Sequence, residues 1–203
     1  PRLRAAVIAA RGANMPKDTI ERAIKRGAGE IEGETYEELT YEGYGPGGVA
    51  FMIDALTSNR NRTVAEVRHA FSKRGGNLGT DGSVAWMFER RGFIGVNAEE
   101  TDFDGLFEAT VEAGADDVEP GEPMHAVYCE FSSLHEVSTG LEGAGFDITE
   151  VKTVRIATNT VTIEGKDIEK TIKLMEMLDE LDDVQNVYSN ADISDEDLAE
   201  FMG

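Results

Sequence analysis

Basic side chains in two stretches are the residues of this chain best suited to bind a ligand. The first stretch opens with Asn-Arg-Asn-Arg at positions 59–62 and continues along a helical pattern to Arg74. Arginine and lysine supply charge to phosphate groups, and asparagine and a helix N-terminus supply neutral donors. The candidate phosphate contacts here are Arg60, Arg62, Arg68, His69, Lys73 and Arg74.

The second stretch is residues 1–29, which hold seven basic and two acidic side chains. Its candidates are Arg2, Arg4, Arg11, Lys17, Arg22, Lys25 and Arg26. Neither stretch has aromatic residues interleaved for base stacking, so we expect backbone contacts with little sequence readout. The alternative for the 59–74 stretch is a solvated helix face on which Glu66 pairs with a neighbouring base.

The charge distribution separates these stretches from the rest of the chain. The 203-residue protein has a formal net charge of −21, yet residues 1–29 carry +5 and residues 58–92 carry +4. Residues 30–57 hold seven acids and no base, and residues 93–203 hold 28 acids and five bases. Two basic islands in an acidic chain indicate an interaction surface, while the acidic remainder favours solubility.

No motif in the sequence predicts catalysis. Gly43, Gly45 and Gly48 satisfy the dinucleotide fingerprint, but a strand pattern follows them where that motif requires a helix. The chain has no phosphate loop, its three histidines are scattered, and a calcium-like start at Asp102 and Asp104 lacks its closing glutamate. We therefore predict a non-enzymatic protein that needs no cofactor, no metal and no small-molecule substrate.

Composition favours a globular protein of a reducing compartment. The chain is 40% hydrophobic, and no apolar run approaches the roughly 18–20 residues of a membrane span. Its single cysteine, Cys129, excludes an internal disulfide framework. On the same strand pattern, we expect Cys129 in the core and His125 at the surface. We predict a cytoplasmic monomer that makes no membrane contact.

Hydrophobic periodicity predicts the elements that position the basic residues. Two helices should occupy residues 1–27, with a break before Pro16. Strand patterns at 36–42 and 49–56 flank the glycine loop and predict a β-hairpin. A helix should then run over residues 63–74.

A capping box and a glycine pair should bound the helix at 63–74. Thr63 and Glu66 fit the capping box, and the glycines follow Arg74. Its buried stripe should contain Val64, Val67 and Phe71.

Residues 84–157 show the order βαββαβ, which is typical of a ferredoxin-like domain. One of its strands should run from His125 to Phe131, and Ser133 with Glu136 should cap its second helix. The tail adds a strand at 160–163, a helix at 168–178 and a strand at 184–188.

Because an isolated hairpin is marginally stable, the hairpin and the tail should pair with each other. This makes residues 84–157 an insertion. We predict an α+β protein with three parts: a helical unit with linker at 1–35, a discontinuous α/β domain at 36–83 and 158–203, and an inserted ferredoxin-like α/β domain at 84–157.

Several long segments resemble the YebC/PmpR family. They are the hairpin loop 41–48, the basic segment 59–73, the glycine-rich segment 75–84, the helical segment 15–27 and the tail segment 182–188. The resemblance implies a three-domain protein whose last domain is inserted into the middle one. It also implies a non-catalytic role in which the protein binds nucleic acid, because members are labelled transcriptional regulators that bind DNA.

The resemblance leaves alternatives to DNA binding. Related proteins, including a mitochondrial translational activator, act in translation, so a ribosome-associated or RNA-binding translation factor is the second hypothesis. A protein–protein adaptor whose acidic domains bind a basic partner is the third. Members also begin with a basic stretch that includes a His-Ser-Lys-Trp-Ala-like segment. This sequence lacks that segment, and with it the surface that we expect to bind phosphate most strongly.

Overall fold

A computed structural model describes residues 2–28, 35–194 and 197–198 of the chain. Six helices, ten strands and three short 3-10 turns order these residues, and the predicted α+β class is confirmed. In chain order, the helices and strands are α1 Arg2–Gly12, α2 Lys17–Gly27, β1 Glu37–Tyr44, β2 Ala50–Thr57, α3 Arg60–Arg74, β3 Asn77–Leu78, β4 Phe88–Asn97, α4 Phe103–Ala113, β5 Asp117–Glu119, β6 Met124–Glu130, α5 Leu134–Gly143, β7 Ile148–Ala157, β8 Val161–Thr162, α6 Lys166–Asp179, β9 Val184–Ser189 and β10 Ala191–Asp192.

The described residues fall into two compact units. The ferredoxin-like unit comprises the described part of 1–33 together with 90–155. The hairpin unit comprises the described part of 34–89 together with 156–203. The N-terminal helices therefore group with the inserted segment, and the three-domain boundaries given above stay a prediction.

The hairpin unit is built on a four-stranded sheet with the order β3-β1-β2-β9. β1 and β2 form the predicted hairpin, with Tyr41 opposite Ile53, and β9 from the tail pairs antiparallel with β2. This pairing confirms that the hairpin and the tail form one domain into which another is inserted. Helices α3 and α6 cover one sheet face, and Phe51, Phe71 and Leu174 are fully buried between them.

The glycine loop between β1 and β2 is a packed turn, and a strand follows it as the sequence predicts. Gly47 has φ 68°, in the left-handed region that favours glycine. A Cβ atom on Gly45 would lie 2.5 Å from the Phe51 ring and 3.2 Å from Leu174. The glycines therefore serve the turn and the close approach of core side chains.

The inserted segment has the ferredoxin-like order βαββαβ. Its sheet order is β5-β6-β4-β7, and α4 and α5 pack on each other. Strand β5 is only three residues long and has no clear alternation in the sequence. Ile94, Val127 and Leu141 are fully buried in its core.

Two expectations for strand β6 are wrong. The strand ends at Glu130, so Phe131 lies in a 3-10 turn and is 43% exposed. His125 is buried rather than at the surface, since its ring packs edge-on against Phe103 and its Nδ1 accepts a hydrogen bond from Gly121. Cys129 is fully buried, as predicted.

Both predicted capping boxes are also wrong. α3 begins three residues earlier than predicted, and the Asn59 side chain caps it by accepting from the Arg62 backbone N–H at 3.2 Å. Its buried stripe contains Val67 and Phe71 as expected, whereas Val64 is only half-buried. Ser133 precedes α5, but within the described structure its side chain makes no capping hydrogen bond.

Among the described residues, no helix combines the length and the apolar character needed to cross a membrane.

Candidate nucleic-acid interface

Helix α2 presents most of its basic side chains to solvent. Ile20 is its only buried residue within the described structure and Ile24 is half-buried, so two isoleucines provide the apolar contacts of a largely polar helix. Arg22, Lys25 and Arg26 are exposed, and the last two lie in the final turn, where cations favour the helix dipole. Lys17 Nζ lies 3.8 Å from Glu21 Oε1 across one helical turn.

Helix α1 is held more firmly and has fewer available cations. Ala5 and Ile8 pack on the ferredoxin-like core, and Arg4 forms an ion pair with Glu142 near the end of α5. Arg11 is exposed in the last turn. Arg2 is the first residue of the helix, and its side chain lies outside the described part of the structure.

Helix α3 is anchored by a carboxylate that the sequence did not single out. Asp183 is buried just before β9 and accepts hydrogen bonds from Arg62 at 2.7 Å, from Thr63 at 2.7 Å and from Thr57 at 3.0 Å. Thr63, taken from sequence as a cap, instead donates from inside the helix to this carboxylate. The signal available in the sequence was an acidic run, 179–183, which usually marks a solvated helix end.

The pKa of Asp183 reflects this network. Burial would by itself raise the pKa of Asp183, but the hydrogen bonds from Arg62, Thr63 and Thr57 outweigh it and leave the pKa below its usual value. Asp183 is therefore ionised at neutral pH, and its charge holds Arg62 at the start of α3. Arg62 consequently has a structural partner, although its side chain remains 49% exposed.

The other predicted residues of α3 lie along its outer side. Arg60, Arg68, His69 and Lys73 are all exposed. Arg74, in the last turn, is half-buried, and its Nε has no hydrogen-bond partner among the described residues. Four of the six candidates in this stretch are therefore exposed without being drawn into the core, which suits them for phosphate contacts.

Helix α6 brings further cations beside α3. Lys166, Lys170 and Lys173 are three of the five bases found in residues 93–203, and all three are exposed on α6, which packs on α3. The hydrogen bond and charge of Lys173 lower the pKa of Glu169, and the nearby charge of Arg74 lowers it further. These lysines were missed because Asp167 and Glu169 share their helix and pair with Lys170 and Lys173.

The bases of segment 58–92 belong to both units. Arg90 lies 3.9 Å above the Phe131 ring, and Arg91 pairs with Asp116 at 2.6 Å; both contacts are within the ferredoxin-like unit. The bases of α3 belong to the hairpin unit. Its charge in sequence is thus divided between two bodies.

The described residues provide no metal centre. Within residues 2–28 and 35–194, no group of three histidine, cysteine, aspartate or glutamate side chains could hold a metal ion. Asp102, the start of the calcium-like pattern, instead caps α4 by accepting from the Gly105 backbone N–H at 3.0 Å.

Comparisons with known proteins identify the family. Residues 36–191 match the model for the second and third domains of TACO1/YebC proteins, and residues 1–30 match the model for the N-terminal domain of that family. The chain belongs to the TACO1/YebC family. The N-terminal domain of the family is thus represented by residues 1–30.

Curated relatives of this TACO1/YebC chain share about half of its residues. A probable transcriptional regulatory protein of Geobacter sp. (strain M21) is 50% identical over 202 residues, covering 100% of this chain and 81% of the relative. One of the same description from Acidithiobacillus ferrooxidans is 56% identical over 198 residues, covering 98% and 79%. A solved structure, a conserved hypothetical protein from Aquifex aeolicus, matches with a TM-score of 0.89 at 50% identity, covering 96% and 81%.

Proposed function

We propose that this TACO1/YebC protein is a non-catalytic regulator that binds nucleic acid, with DNA as its target, through phosphate contacts from α2 and α3. The observation that carries the proposal is the set of exposed cations on these two helices in a chain of net charge −21. Curated relatives described as probable transcriptional regulatory proteins support it.

Exposed arginines and lysines without interleaved aromatic residues favour backbone contact. The exposed cations Arg22, Lys25 and Arg26 on α2 and Arg68 and Lys73 on α3 carry their charge on long stems that can reach phosphate oxygens. Such contacts position a protein without carrying sequence information. We therefore expect similar affinity for duplexes of unrelated sequence.

The direct test is a competition between nucleic acids at physiological salt. Labelled duplex DNA is bound to the protein and then challenged with structured RNA or intact ribosomes, while co-sedimentation with ribosomes is measured in parallel. We expect DNA affinity to fall steeply with salt, with a slope of log affinity against log salt of about −0.9 per phosphate contacted. Retention on duplex DNA would support the proposal.

Two other outcomes identify the alternatives. Transfer to ribosomes with release of DNA would replace DNA regulation with a role as a translation factor. Absence of salt-dependent binding to any nucleic acid would overturn both and favour a protein–protein adaptor. For variants that remove cations from α2 or α3, Lys152→Ala provides a matched control. Lys152 pairs with Glu150 at 2.9 Å and lies outside both helices.

A further inference from the structure

Trp86, the only tryptophan of the chain, is 68% exposed. It lies in the 3-10 turn Ala85–Met87, which follows the glycine-rich segment after α3 and belongs to the hairpin unit. An exposed indole is uncommon on a surface without a partner, because tryptophan carries a large apolar area. Its exposure therefore raises the question of what holds it in place and what it contacts.

The turn that carries Trp86 is held by a buried carboxylate. Glu42 on β1 is only 7% exposed and accepts three backbone hydrogen bonds: from Gly82 and Val84 at 2.7 Å and from Ala85 at 2.8 Å. Val84, two residues before the tryptophan, is fully buried against Ala50 and Met52. The backbone beneath the exposed indole is consequently fixed on both sides of Ser83.

A second aromatic ring converges on the same turn. The Trp86 indole N–H and the Tyr44 hydroxyl both donate to the Ser83 carbonyl oxygen, each at 3.2 Å. Tyr44 is 36% exposed, so two rings that are both hydrogen-bonded to this one carbonyl oxygen are accessible to solvent. Rings held in this way lose little conformational freedom on binding, which is a property of interface anchor residues.

This aromatic pair lies away from the basic helix. A Cβ atom on Gly43 would contact the Phe71 ring, so Gly43 faces α3. Because side chains alternate along a strand, Glu42 and Tyr44 face the opposite side of the sheet. The hairpin unit thus has a helical side with exposed cations and a sheet side with exposed aromatic rings.

The chain segments that carry the two rings contain acidic residues and no basic ones. Residues 79–89 contain Asp81 and Glu89 and no base, and residues 35–57 contain acids and no base. Asp81 is exposed one residue before the first amide that binds Glu42. Such a surface repels a phosphate backbone, whereas it attracts a cation, and an indole face binds guanidinium groups in particular.

We propose that Trp86 and Tyr44 form a docking site for a basic, arginine-containing segment of a partner protein. An arginine of that segment stacks on the indole while Asp81 contributes attraction at its edge. This site is separate from the phosphate contacts of α2 and α3, so the hairpin unit can bind a basic protein on one side while its helices face nucleic acid. Glu42 acts as a positioning residue that keeps the turn in its binding conformation.

The test uses the single tryptophan as its own reporter. A labelled peptide of alternating arginine and glycine is titrated into the intact chain, and both peptide anisotropy and Trp86 emission are followed. We expect one saturable site with a change in Trp86 emission. The same peptide with citrulline in place of arginine keeps the shape but loses the charge, and should bind at least tenfold more weakly.

Variants separate this site from general attraction to an acidic protein. Trp86→Ala should weaken binding about tenfold and Asp81→Asn about twofold, while Trp86→Phe, which keeps a ring, should lose less than Trp86→Ala. The matched control is Phe107→Ala, since Phe107 is also exposed, at 52%, on α4 beside the acidic residues Asp104 and Glu108. It should leave affinity unchanged.

Any of three results overturns the proposal. Unchanged affinity in Trp86→Ala would show that the peptide follows net charge alone, and equal losses in Trp86→Ala and Phe107→Ala would show that it has no preference for this turn. A change in Trp86 emission produced by a single-stranded oligothymidine, with none produced by the peptide, would instead assign the rings to base stacking.

Discussion

Helices α2 and α3 carry similar numbers of basic residues but are built into the protein in different ways. α2 buries only Ile20 among its described residues and leaves Arg22, Lys25 and Arg26 exposed. α3 buries four residues, and its third residue, Arg62, is bound to the buried Asp183. The basic side chains of α2 therefore contribute little to the stability of the fold, whereas Arg62 of α3 is the ion-pair partner of a buried acid.

The difference teaches that basic density in a sequence is not the same as availability to a ligand. Removing a cation from α2 changes charge and little else, because its side chains are exposed. Removing Arg62 from α3 leaves a buried carboxylate without its ion-pair partner, which costs stability whatever Arg62 binds. Variants of the two helices should consequently separate effects on binding from effects on folding.

The largest expected effect is loss of the α3 anchor. Asp183→Asn removes the charge that receives hydrogen bonds from Arg62, Thr63 and Thr57. Hydrogen bonds to a charged group are worth about 1.5–3 kcal/mol, so we expect the hairpin unit to lose about 2 kcal/mol. Native-state hydrogen exchange of the α3 amides measures this loss.

The matched control for this change is Asp179→Asn, which neutralises an exposed carboxylate at the end of α6. Protection of the α3 amides should be unaffected by it. The reactivity of Cys129 serves as a second readout, which reports whether the ferredoxin-like unit stays folded in both variants. Burial raises the pKa of its thiol to about 11 and keeps it unreactive while that unit is folded. Equal α3 protection in both variants would contradict the anchoring role of Asp183.

The next effect concerns the cations of α2. Replacing Arg22, Lys25 and Arg26 together by alanine should weaken binding to duplex DNA about tenfold, since three exposed charge contacts contribute about 0.5 kcal/mol each. The salt slope should fall by about one for each contact removed. Filter binding across a series of salt concentrations gives both quantities, and an unchanged slope would remove α2 from the interface.

A smaller effect is expected for the exposed cations of α3. Arg68→Ala with Lys73→Ala removes two contacts and should weaken binding about fivefold, without loss of α3 protection. Arg62→Ala should instead lower the hydrogen-exchange protection of α3 more than it lowers the affinity for duplex DNA. If Arg62→Ala reduced affinity more than the double variant while protection stayed constant, Arg62 would be a ligand contact and the comparison of the two helices would fail.

The smallest effect is a pH dependence confined to α3. Because the pKa of Asp183 is lowered in the folded protein, its stabilising contribution is present above the ordinary carboxyl value of 3.8 and is lost as the pH falls through the lower folded value. Protection of α3 in the native chain should decrease in this acid range. Asp183→Asn should lack this component, and a parallel decrease in both proteins would assign it to other carboxyl groups.

Local patterns in the sequence predicted most of the fold. The two N-terminal helices, the hairpin and the βαββαβ insertion all follow from hydrophobic periodicity and from glycine and proline positions. Pairing of the tail with the hairpin followed from the instability of an isolated hairpin. The failures were local as well: Thr63 was taken as a cap because its spacing to Glu66 fits one, although its hydroxyl binds Asp183.

The candidate site was less predictable, because its properties depend on residues distant in the chain. Asp183 contacts Arg62 across 121 positions, and Glu42 holds the turn before Trp86 from 40 or more positions away. No spacing rule connects such pairs, since they meet only when β9 joins β2 and when the 79–86 segment folds over β1. Helical periodicity could place Lys73 on an outer face of α3, but it could not show which arginine would pair with a buried acid.

The sequence by itself determined the elements, the charge of each segment and the absence of recognised catalytic motifs, because these depend on neighbours a few residues apart. Only the tertiary structure decided which charged side chains form ion pairs within the fold and which are exposed to a ligand. It divided one basic segment between two units, bound Arg62 to a buried acid and left Trp86 exposed on a fixed turn. Burial and ion pairing are properties of three-dimensional neighbours, and charge composition does not encode them.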